Sequence, residues 1–118
     1  MYAREFEELD VWRNSRALCA EIIAVSQRGR FRTDDVLRKQ IYRAALSIVS
    51  NIAEGFESRT VGLNREFLGR AKGSAGEVRA QLHIAKDLGY LDDATYIALL
   101  TKVRHCSSQL HRYMARLK

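Results

Sequence analysis

Proline is absent from all 118 residues, and only seven are glycine. β-branched residues never form a long run, and Ala, Leu, Arg and Glu dominate. A chain without the strongest helix breaker and without strand-like runs favours an all-helical fold. Missing too is any stretch near the roughly 20 apolar residues that a membrane-crossing helix needs. The opening MYAREFEELD is acidic and does not read as a basic-then-apolar export signal. A soluble, cytoplasmic protein without membrane contact is the expectation. Cysteine is scarce: Cys19 and Cys106 stand alone in helical patterns and read as buried free thiols, not a disulfide or a metal site.

Catalytic signatures are missing as well. Inward Glu-x-x-His pairs for a di-iron site do not occur, and His83, His105 and His111 share no ligand spacing. Without strands no glycine-rich phosphate loop can follow one. Ser74 has no base beside it and reads as a small packing residue. No enzyme, cofactor or metal is expected. Acidic residues vanish after Asp93, while Lys102, Arg104, Arg112, Arg116 and Lys118 follow.

The apolar pattern divides the chain into four helices within one domain spanning 1–118. The first is expected from about Asp10 to Arg28, with Val11, Leu18, Ile22 and Val25 on one side. Gly29 and the stretch RGRFR form a break. Thr33 is the expected N-cap of a second helix to about Glu57, with Asp34 and Asp35 in its first turn. Its apolar arc is Leu37, Ile41, Ala45, Ile48, Ile52 and Phe56. A third helix runs from about Leu63 to a Gly89 C-cap. Asp92 or Asp93 caps a fourth, with Ile97, Leu100, Val103, Leu110, Tyr113 and Leu117 together. Long helices and short loops predict an antiparallel up-down-up-down four-helix bundle.

The third helix carries three faces. Phe67, Ala71, Ser74, Val78, Leu82 and Ala85 make the expected core face. Nearly opposite lie Gly69, Gly73, Gly76 and Ala80. Three glycines in a helix interior cost about 2–3 kcal/mol against alanine. A solvated face that tolerates glycine is the plain reading. The sharper one is close approach of another subunit's backbone, and hence a homo-oligomer.

Between these faces run Arg65, Lys72, Arg79 and Lys86, seven apart, which keeps them aligned along the helix. With Lys102, Arg104, Arg112 and Arg116 they are the candidate nucleic-acid contacts. Arg28, Arg30, Arg32, Arg38, Lys39 and Arg43 form a second basic zone. The net charge of +6 suits a polyanion, and most of the cations are arginine, whose planar fork fits phosphate.

In the second helix, Gln40, Arg43, Ser47, Asn51 and Glu54 form a polar strip beside the apolar arc. If neighbours enclose it, Asn51 and Glu54 need partners, because an unpaired buried carboxylate is costly. Arg43 is the expected partner of Glu54. Gly55 would let another helix approach or would end this one.

The run RAALSIVSNIAEGFESRT, then REFLGRAKGSAGEVRAQLHIAKDLGYLDD, closely resembles the four-helix-bundle family encoded in intervening sequences of bacterial large-subunit ribosomal RNA genes. The opening FEELDVW also resembles that family's start, with Trp12 at its aromatic position. Val49 stands where the family usually has a kinking proline, and Gly73 to Glu77 is a smaller version of its G-S-L-x-E. The resemblance implies a homopentameric ring and no catalytic residues. It also implies kinship with the accessory variability determinant of diversity-generating retroelements, whose members are basic pentamers that bind nucleic acid and a reverse transcriptase. Two functions follow as expectations: nucleic-acid binding, RNA ahead of DNA, or a scaffold that docks a partner such as a reverse transcriptase.

Overall fold

A computed structural model describes residues 3–117. Among them every regular element is helical: a 3₁₀ turn Phe6–Glu8, then α1 Asp10–Ser26, α2 Gly29–Thr33, α3 Asp35–Glu57, α4 Val61–Asp87 and α5 Asp93–Arg116. The four long helices pack into a bundle extending 44 × 23 × 19 Å. Cross-helix contacts show the directions. Ser47 meets Ser74 and Lys86 meets Asp93, so α3–α4 and α4–α5 are antiparallel neighbours joined by short turns. Asn14 meets Gln109 and Glu21 meets Lys102, which sets α1 against α5 in the same sense.

Each boundary has a local cause. Asp34, not Thr33, caps α3: its Oδ1 accepts the Leu37 N–H at 3.0 Å. Thr33 instead turns back, donating its hydroxyl to the Arg30 carbonyl. The expected break is itself one helical turn, α2, because Phe31 is drawn into the core at 1% exposure and stacks on Tyr90, centroids 5.3 Å apart. Tyr90 donates its hydroxyl to Asp34 Oδ2 at 2.8 Å, tying this corner together. Thr60 caps α4 and Asp92 caps α5. Gly89, at φ +77°, closes α4: the Tyr90 N–H reaches back to Ala85 and that of Gly89 to Lys86.

The buried faces follow the apolar arcs with two shifts. In α4, Leu68 and Ala75 are fully buried while Phe67 is half-buried, so the core face is rotated toward α5. In α5, Leu99 and Cys106 fill the core beside Val103 and Leu110, and Ile97 stands 60% exposed. A single stripe drawn from Ile97 to Leu117 misses this, because the buried arc of α5 meets both α1 and α4. Both thiols are free and buried. Burial pushes the Cys106 thiol up to about 11, so it stays protonated and unreactive.

With Val49 in place of proline, α3 runs without interruption. Gly55 is buried where α4 crosses. A β-carbon there would lie 2.6 Å from Asn64 Oδ1 and 3.1 Å from Phe67 Cβ. Gly55 therefore admits the neighbouring helix.

Candidate nucleic-acid interface

The polar strip of α3 divides in the structure. Asn51 donates to the Ser47 carbonyl and hydroxyl at 2.8 and 2.9 Å, and Ser74 donates to the same hydroxyl at 2.8 Å. Ser47, Asn51 and Ser74 thus make a hydrogen-bonded patch between α3 and α4, and Ser74 does more there than fill space. Glu54 and Arg43 do not pair. Eleven residues separate them, about 16 Å along the axis, and both are exposed, in no ion pair among the described residues.

Gly69, Gly73, Gly76 and Ala80 form an exposed row on α4, and a β-carbon on any of the three glycines would meet nothing within 4 Å. No neighbour within the subunit requires glycine here. Ile84, 49% exposed and one turn past Ala80, extends the row with apolar surface that the sequence pattern did not single out.

The eight candidate contact residues fall into two sets. Arg65, Lys72, Arg79 and Lys86 follow the edge of α4 that meets α5. Arg65 Nη2 donates to the Leu117 carbonyl at 2.7 Å, and Lys86 Nζ lies 2.7 Å from Asp93 Oδ1. His83 Nδ1 and the Tyr96 hydroxyl, 2.7 Å apart, complete the register between the helices. That register places Arg104 level with the turn between Lys72 and Arg79. Arg104 is eleven residues past Asp93, three turns on and only about 20° around, so it stays on the edge that meets α4. His111, seven further, falls in the same file. Arg65, Lys72, Arg79 and Arg104 thus converge on one ridge, none of them in an ion pair among the described residues.

Lys86 contributes less to this ridge than its spacing promised. Its bond to Asp93 raises its pKa and commits its charge internally. Arg79 is half-buried, with its Nε lacking a partner.

The other three residues face away. Lys102 Nζ bonds both Glu21 carboxylate oxygens at 2.7 and 2.8 Å, on the α1 side. Arg112 and Arg116 line a cavity against the start of α1. In the second basic zone, Arg30 lies over the Tyr90 ring and Arg38 pairs with Asp35. Lys118 lies outside the described residues. Sequence spacing aligned charges along each helix but carried no register between helices. The end cavity, shared by α1, α3 and α5, left no sequence signal.

Among the described residues no helix is long and apolar enough to cross a membrane, and no cluster of three or more metal-binding side chains occurs.

A protein of unknown function from the S23 ribosomal protein family of Bacteroides thetaiotaomicron VPI-5482 has a similar solved structure. The TM-score is 0.81 at 20% identity, over 88% of this chain and 97% of that one. No curated protein matches the chain. A family model described as 23S rRNA-intervening sequence protein matches residues 7–112, nearly the whole length. With its helical fold and its long NIAEG and AKGSAGE segments on α3 and α4, the chain belongs to the 23S rRNA-intervening sequence protein family.

Proposed function

We propose that this protein is a non-enzymatic, homo-oligomeric, cytoplasmic nucleic-acid-binding protein that grips its polymer through the α4–α5 ridge. The observation that carries this reading is the convergence of Arg65, Lys72, Arg79 and Arg104 on one edge beside a glycine row. Four cations that have no carboxylate partner among the described residues can neutralise phosphates and release their condensed counterions, the main source of affinity for a polyanion. The adjacent row offers a flat surface to a second copy, so assembly would set ridges side by side. A pentamer would multiply the +6 of each chain to about +30. RNA is favoured over DNA because the family's description refers to 23S rRNA.

A filter-binding titration of RNA and DNA at several salt concentrations tests this. The expected outcome is affinity that falls steeply with salt and depends little on sequence. Lys72→Gln and Arg79→Gln should each reduce the log–log salt slope by about 0.7–0.9. Absent or salt-insensitive binding would contradict the reading.

A second reading, a scaffold that docks a partner such as a reverse transcriptase, draws on exposed apolar surface. Tyr42 and Leu46, one turn apart on α3, are 43% and 46% exposed, and Val36 is 75% exposed. Such surface suits a protein partner better than a phosphate backbone. A partner that binds equally well at high salt, with no retention of RNA, would favour it.

A further inference from the structure

A cavity of about 800 Å³ opens at the end of the bundle where α1 begins and α5 ends. Its lining brings together chemistry that neither helix carries alone. Arg112 and Arg116 stand on the α5 side, Glu8 and Asp10 on the α1 side, and Phe56 and Tyr113 share the lining. Asp10 shares this space with two arginines, yet no ion pair joins them. Arg116 Nε donates to the Arg112 carbonyl at 3.3 Å, which ties its side chain back to α5. The volume is in the range of small-molecule sites.

The charge pattern narrows the ligand. A bare anion would be repelled by Asp10 and Glu8, and a bare cation by the arginines. A molecule with phosphate at one end and a flat, hydrogen-bond-donating ring at the other satisfies both walls. The cavity also adjoins the α4–α5 ridge. Leu117 lines it, and the Leu117 carbonyl is the group that Arg65, at the ridge's end, holds at 2.7 Å.

We propose that this cavity receives one unstacked nucleotide of a single-stranded nucleic acid whose backbone follows the α4–α5 ridge. Arg112 and Arg116 take the phosphate, Tyr113 and Phe56 offer ring faces to the base, and Asp10 accepts a hydrogen bond from an exocyclic amine. Adenine, cytosine and guanine carry such an amine. Uracil and thymine have no such amine, and their one ring N–H lies between two carbonyl oxygens that a carboxylate repels. The site therefore prefers single strands to duplexes and disfavours uracil. This inference rests on the nucleic-acid reading above and adds to it a place where a base is recognised.

The test uses the whole chain with AMP, UMP and inorganic phosphate as probes in ¹⁵N–¹H NMR. It adds a 12-nucleotide oligo(A) and a duplex of the same length in an anisotropy titration. AMP is expected to move the amide signals of Val11, Gln109 and Tyr113, and UMP or phosphate at equal concentration to move them less. Arg112→Gln, an exposed change that spares the fold, should weaken oligo(A) binding about 5- to 10-fold. Tyr113→Ala should weaken it about 10-fold or more. Duplex binding should stay within about twofold in both variants. Equal responses to the three small probes, or equal losses for single strand and duplex, would overturn the proposal. Salt-dependent polymer binding without an AMP response overturns the pocket alone. An AMP response without polymer binding overturns the ridge and leaves a mononucleotide site.

Discussion

Asp34 shows how one side chain serves two structures. It caps α3 through the Leu37 N–H and receives the Tyr90 hydroxyl, and these two bonds, in that order, hold its carboxyl below the ordinary 3.8. A depressed folded-state pKa means that this stabilisation is complete above the ordinary carboxylate range. It is lost as pH falls through the folded value. Asp34→Ala should therefore lower the melting temperature by a few degrees near neutral pH, with the gap closing in strong acid. A gap independent of pH would contradict that role. Gly55 offers a second test at this scale. Alanine there would collide with Asn64 and Phe67 of α4. Gly55→Ala should destabilise the bundle by about 1–3 kcal/mol in denaturant unfolding, despite alanine's better helix propensity.

For whole helices, the sequence was legible where one periodicity met one neighbour. The end of α3, the Gly89 stop and the buried positions Ile41, Ala45, Ile48 and Ile52 all follow from spacing and capping chemistry, while the start of α3 lies one residue past the expected cap. It was illegible where the cause lies across the bundle. Phe31 turns a basic break into helix because a core cavity and the Tyr90 ring await it, and nothing local says so. Leu99 was missed because α5 is buried on two sides, whereas Cys106 was expected to be buried and is. The candidate site divides for the same reason. The seven-residue stripe on α4 was readable, but Lys102 faces Glu21 and Arg104 joins the ridge only through the register of two helices. The glycine row permits a test at this scale. Gly73→Ala meets nothing within the subunit, so it should stabilise an isolated subunit by about 0.5–1 kcal/mol. In the proposed assembly the same methyl group intrudes on the neighbouring copy and shifts sedimenting mass toward the monomer. Alanine that stabilises the subunit and leaves the assembly unchanged would show that the row is a solvated face.

Across the whole molecule, the fold is an economical helical bundle, and its unusual features all lie on the outside. They are a bare glycine row, a ridge of cations beside it that form no ion pair among the described residues, and exposed apolar side chains at Val36, Ile84 and Ile97. Joined copies would cover the row and pool the charge, turning a modestly basic chain into a strong polyanion trap. The collective polyanion binding proposed for this protein depends on that assembly. Sedimentation equilibrium of the purified chain, at micromolar concentration and moderate salt, measures it directly. A pentamer gives a mass of about five times 13.5 kDa. A single species of 13.5 kDa would contradict it.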